Sequence, residues 1–119
     1  MSKRGLLLYL QDIIDSIEKI EEYTRGISFE EFSKNSEKID AVVRNFEIIG
    51  EAARNISQEF IDQYPNIPRE KMISMRNKIL HEYFGVDEEI IWKTIQEDFP
   101  NLKEQLITLP ELSYNLKTN

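Results

Sequence analysis

The sequence predicts an all-α fold, a bundle of four main helices with one or two additional short ones. Three observations carry this. Apolar residues recur at helical spacing along nearly the whole chain. Alternating β-branched patterns are scarce. Only four glycines and four prolines are present, and most stand where helices should end. At 119 residues the chain has the length of one domain, expected over residues 1–110, with a polar C-terminal tail over 111–119.

The first helix is expected from about Arg4 to Thr24. Leu6, Leu10, Ile13, Ile17 and Ile20 are spaced 4, 3, 4, 3, which is one helical face, and Gly26 closes it. Ser28-Phe-Glu-Glu31 has the form of a capping box and predicts a short helix through about Lys34. A long helix is then expected from about Ser36 to Gln63, because Ile39, Val42, Phe46, Ile49, Ala53, Ile56 and Phe60 alternate steps of 3 and 4. A 3.5-residue repeat kept up this long implies left-handed packing against neighbouring helices. Gly50 interrupts that helix at a cost of roughly 1 kcal/mol relative to alanine, which suggests a close helix–helix approach.

Pro65 and Pro68 frame the next loop, and Pro68 suits a first helical turn, so a helix is expected from about Pro68 to Phe84, stopped by Gly85. Asp87 caps a helix over about Glu88 to Asp98, and Pro100 opens a short terminal helix to about Leu109. A core at this length is real but not generous, and a dimer would add buried area.

Composition excludes several chemistries. With no cysteine, disulfides, thiolate nucleophiles and cysteine-ligated metals are out. The single histidine means that a histidine-built zinc site would need several chains. Acidic residues outnumber basic ones by 22 to 15, a formal charge of −7, which argues against tight nucleic-acid binding by charge alone. The apolar stretch Leu6–Leu10 falls far short of the roughly 20 residues a membrane span needs. Asp12 and Asp15 follow it where a signal peptide would carry small residues, so a cytoplasmic protein without membrane contact is expected.

The chemistry concentrates in Met75-Arg-Asn-Lys-Ile-Leu-His-Glu-Tyr-Phe-Gly85. At about 100° per residue, Tyr83 lies about 20° and Leu80 about 40° from Arg76, with Met72 and Ile79 on one side and Ile73 and Phe84 on the other. Arg76 is therefore expected in the middle of an apolar stripe, with His81 about 140° away at its edge. A guanidinium so placed must be paired, or must face a cleft or a partner. Glu47 or Glu51 on a neighbouring helix could pair it. His81 could equally be a surface residue favoured by a helix C-terminus, and Tyr83 a core residue with a satisfied hydroxyl.

The functional alternative is phosphodiester cleavage. Cleaving RNA without a metal needs a base for the 2′-hydroxyl proton, an acid for the leaving oxygen, and positive charge on the phosphorane. Histidine titrates in the range for the first two roles, and arginine suits the third. With one histidine per chain, imidazoles in both roles would require two chains meeting at this helix.

Arg76-(four residues)-His81-Glu-Tyr83 resembles the R-X4-H-X-Y motif of the HepT-like toxins of the HEPN superfamily. The wider match includes Arg44-Asn-Phe-Glu-Ile-Ile-Gly-Glu-Ala-Ala53, Tyr64-Pro, Arg76-Asn77, His81-Glu-Tyr-Phe-Gly85 and Trp92, and runs from Leu8 to about Leu106. The resemblance implies a HEPN-type four-helix bundle that dimerises to form a composite cleft. It implies a metal-independent endoribonuclease without cofactor, the toxin of a type VII toxin–antitoxin pair. Arg76 and His81 would be catalytic, with Asn77 supporting them. Tyr83 would receive AMP from an MNT-type minimal nucleotidyltransferase antitoxin, adding bulk and negative charge near Arg76.

The rival reading is a non-catalytic nucleotide-binding or adaptor subunit partnering such a nucleotidyltransferase, and a plain structural bundle is a third. Locally, Arg69, Lys71, Arg76 and Lys78 face only Glu70, so Arg69, Lys71 and Lys78 are candidate RNA contacts, with modest, salt-sensitive affinity expected.

Overall fold

The computed structural model describes residues 2–80 and 87–109. The helices are α1 (Lys3–Thr24), α2 (Phe29–Ser33), α3 (Ser36–Arg54), α4 (Gln58–Gln63), α5 (Arg69–Leu80), α6 (Glu88–Lys93) and α7 (Phe99–Ile107), with a π-helical turn over Thr94–Asp98 joining the last two. No strand occurs among the described residues, and no helix among them is long and apolar enough to cross a membrane. The four long pillars are α1, α3, α5 and the continuous run α6–π–α7; α2 and α4 are the short pieces.

Local chemistry sets the early boundaries as expected. The Ser2 side chain accepts from Gly5 N–H to start α1, and Gly26, at φ 76°, turns the chain after it. Only glycine adopts that left-handed conformation at little cost. Ser28 and Glu31 form a full reciprocal capping box at α2. Asn35 caps α3 by accepting from Lys38 N–H at 3.0 Å.

Two boundaries differ from expectation. The long helix ends at Arg54 and restarts at Gln58. Asn55 turns its side-chain amide onto the carbonyl of Glu51 at 3.0 Å, and Ser57 then caps α4 through the N–H of Phe60. Both side chains offer the backbone an alternative to a continuing helix. The apolar repeat runs through the break regardless, and Ile56 and Phe60 are buried.

The second difference lies at the C-terminal end, where helix α6 passes into α7 without a gap. Buried Ile91, Ile95 and Phe99 follow one another at steps of four, a spacing that drifts about 40° per step on an ideal α-helix. The wider π turn absorbs the drift and keeps all three inward. The expected stop at Gly85 and the tail over 111–119 lie outside the described residues.

Helix α3 is the centre of the bundle, packed on α1 along one side and on α5 along the other. Leu6, Leu10, Ile13, Ile17 and Ile20 of α1 are fully buried, as are Val42, Phe46 and Ile49 of α3. Phe46 meets Phe99 of α7 with ring centroids 5.4 Å apart, and Trp92 of α6 packs on Phe32 of α2 at 5.4 Å. Each such buried side chain contributes roughly 1.5–3 kcal/mol of transfer free energy, which fixes α5 against a rigid backing.

Candidate active site

Helix α5 carries the candidate residues. Its fully inward stripe is Met72, Met75 and Ile79, while Ile73, Arg76 and Leu80 are half-buried. Among the described residues, Arg76 therefore stands at the margin of the buried stripe rather than in its middle.

From that margin the Arg76 side chain reaches along α3. With Arg44, Glu47, Ile48 and Glu51 it lines an open depression of about 250 Å³. The guanidinium donates from Nη1 to Oδ1 of Asn77 at 3.1 Å. The ion pairs among the described residues are Lys34–Glu30, Arg69–Glu70 and Lys103 with Glu18 and Glu21. Arg76 belongs to none of them, so no described carboxylate lies within 4.0 Å of it. The expected pairing with Glu47 or Glu51 does not form, although both line the same depression. A half-buried guanidinium with one neutral hydrogen-bond partner keeps most of its donors for a ligand. Asn77 limits how far the guanidinium can swing.

The lysines stand on another side of α5. Lys71 and Lys78 are exposed, and with Ser74 they line a second depression of about 200 Å³ against Thr94 and Asp98. The two depressions flank α5, one holding Arg76 and the other the lysine pair. Arg69 is mostly covered, with Nη1 bonded to Glu70 at 2.9 Å and Nε buried without a partner among the described residues. The three candidate RNA contacts are thus two accessible lysines and one arginine already engaged by its neighbour. His81 and Tyr83 lie outside the described residues.

The α3 side of the depression is less visible in sequence than the α5 side. Glu47 and Glu51 stood out only as candidate partners for Arg76, and Arg44 only within the family-like segment. Their shared i, i+3, i+4, i+7 spacing is the signal that places all of them with Ile48 on one outward face of α3.

Comparison with known proteins matches the sequence to a family. The sequence pattern of the family described as Ribonuclease HepT-like covers residues 13–109. The "probable ribonuclease HepT" of Thermococcus cleftensis is 50% identical over 101 residues, 85% of this chain and 92% of the relative. A protein of Methanocaldococcus jannaschii named as a candidate RNase is 41% identical over 106 residues, 89% of this chain and 97% of the relative. One from Caldanaerobacter subterraneus, named likewise, is 43% identical over 98 residues, 82% of this chain and 88% of the relative. No solved structure matches the chain. With the family pattern spanning every helix from within α1 through α7, and relatives this similar along nearly their whole length, the chain belongs to the HepT-like family of ribonucleases.

Proposed function

We propose that the chain is a metal-independent endoribonuclease whose active site is completed by a second copy, and that it serves as the toxin of a type VII toxin–antitoxin pair. The observation that carries the reading is the guanidinium of Arg76, half-buried at a cleft on the bundle surface and without an ion pair among the described residues. An arginine in that setting is suited to the charge that builds on a phosphorane. His81 supplies the proton transfers. One imidazole takes the 2′-hydroxyl proton as that oxygen attacks phosphorus, and the imidazole of the other copy protonates the departing 5′-oxygen. A 2′,3′-cyclic phosphate and a free 5′-hydroxyl result. Since each chain has one histidine, this division of labour needs the dimer.

Lys71 and Lys78 hold RNA phosphates away from the bond that breaks, which gives an otherwise acidic protein a local, salt-sensitive grip. Arg69 remains a weaker contact, since Glu70 already takes its charge. The antitoxin is an MNT-type nucleotidyltransferase that transfers AMP from ATP to the Tyr83 hydroxyl. The added phosphate competes with RNA for Arg76.

The test is cleavage of RNA by the purified protein in EDTA, with Arg76→Ala and His81→Ala beside it. Both variants should lose activity, and unchanged cleavage in both would sink the assignment. After incubation with ATP and the partner enzyme, mass spectrometry should find AMP on Tyr83; an adduct on another residue refutes that site.

A further inference from the structure

Gly50 lies buried in the interior of α3, directly beneath Arg76. Its backbone does not require glycine. The positive-φ glycine of the described residues is Gly26, and Gly50 keeps ordinary helical angles. An alanine would suit the helix better. What requires glycine is space. A Cβ on Gly50 would stand 2.6 Å from Arg76 Cβ, 2.5 Å from Cγ and 2.9 Å from Cδ. All three are too close, and the nearest obstacles are not the flexible end of a side chain. Arg76 Cβ is fixed to the α5 backbone, so a methyl group at position 50 must move α5 itself.

We infer that Gly50 is a positioning residue for Arg76. Its missing side chain lets the aliphatic stem of Arg76 lie flat on α3, and this delivers the guanidinium into the depression beside Ile48 and Glu51. The inference rests on the reading of Arg76 as the group that holds the reacting phosphate. Carbon atoms pack at about 3.5–4.0 Å, so a methyl at Gly50 pushes the stem outward by on the order of 1 Å. Displacements of that size at a reacting centre cost up to about a hundredfold in rate.

The experiment compares four proteins: wild type, Gly50→Ala, Arg76→Gly and the exchange variant Gly50→Ala/Arg76→Gly. Circular dichroism normalises each rate to folded protein. Gly50→Ala should lower kcat by about ten- to a hundredfold with KM changed less than about threefold. The exchange variant should cleave at the same residual rate as Arg76→Gly, because the methyl group then has no stem to displace. A purely structural effect of the methyl would lower both backgrounds by the same factor, and that result overturns the inference. So does a Gly50→Ala protein with kcat within twofold of wild type.

Should Gly50→Ala fail to fold, the exchange variant, which removes all three colliding carbons, must fold; its failure overturns the inference as well. Should Arg76→Gly cleave like wild type, the phosphate-binding reading falls separately. The Arg76 Nε–Hε resonance then decides the positioning role, and an unmoved resonance in Gly50→Ala overturns it.

Discussion

Lys103 and Arg76 are both cations set partway into the bundle, and their surroundings treat them oppositely. Lys103 of α7 reaches α1, where Nζ donates to Glu21 at 2.8 Å and lies 3.8 Å from Glu18. Its charge is satisfied within the fold, and it ties two helices together. Arg76 of α5 reaches α3, where Glu47 and Glu51 are at hand, yet among the described residues it forms no ion pair and bonds only the amide oxygen of Asn77. A partly buried charge left without a counter-charge is costly, and folds seldom keep one that serves only stability. The difference separates a cation that holds the molecule together from one held ready for something outside it.

Removing the ready cation gives the largest expected effect. Arg76→Ala should reduce RNA cleavage by on the order of 10²-fold or more, as loss of a donor aimed at transition-state charge does elsewhere. Its melting temperature should fall only by the lost packing of the stem on α3, because no ion pair among the described residues is lost. Arg76→Lys should recover only part of the rate, since an ammonium lacks the planar fork. Single-turnover cleavage beside thermal melts checks both points. A variant that keeps its rate but melts early would make Arg76 a structural residue like Lys103.

The converse change turns Arg76 into a second Lys103. Ile48 lines the same depression, and Ile48→Glu would put a carboxylate next to the guanidinium. Cleavage should fall by roughly tenfold, equivalent to about 1.4 kcal/mol of transition-state stabilisation. High salt should partly restore it by screening the new pair. A rate unaffected by Ile48→Glu would show that the guanidinium does not work from this depression.

A smaller effect is expected on the lysine side of α5. Lys71→Glu and Lys78→Glu should weaken RNA binding several-fold each while leaving the rate at saturating RNA nearly unchanged. Each lost phosphate contact should flatten the dependence of log affinity on log salt by about 0.7, the single-strand value. Titrations at several salt concentrations measure this directly. Variants that bind normally but cleave slowly would move the lysines into the chemical step.

Much of this arrangement was legible in the sequence, and the unread parts have physical reasons. The helical face of Leu6 to Ile20, the Ser28–Glu31 capping box and the Gly26 turn announce themselves because one local interaction decides each. The break at Asn55–Ser57 does not. The apolar repeat from Ile39 to Phe60 continues across it, and burial sets that repeat whether or not the backbone hydrogen bonds continue. Asn55 and Ser57 read equally well as surface residues of one long helix. The π turn at Thr94–Asp98 left a fainter trace, two successive steps of four at Ile91, Ile95 and Phe99. At the site, Arg76 was visible as a charge among apolar neighbours, and Gly50 as a mid-helix glycine that needed a reason. That these two touch is a matter of how α3 and α5 cross, and no periodicity within either helix encodes it.

The satisfied cation offers the finest test, because pH can switch it off. The hydrogen bond to Glu21 raises the Lys103 pKa above its ordinary 10.5, helped by the charges of Glu21 and Glu18 and opposed by burial and by Arg25. A raised value means that the folded protein holds this proton more tightly than the unfolded chain does. The stabilisation is therefore fully present below about pH 10.5 and is lost as pH climbs through the folded pKa above it. The pair is partly solvated, so its contribution stays under about 1 kcal/mol. Lys103→Met should lower stability by that small amount at neutral pH and should remove this group's share of the decline in stability at alkaline pH. Cleavage should not change, since nothing on α7 at Lys103 reaches the depression around Arg76. Denaturant melts of both proteins across the alkaline range would measure the difference. A Lys103→Met protein that kept its full fold and lost its activity would reverse the roles assigned to the two cations.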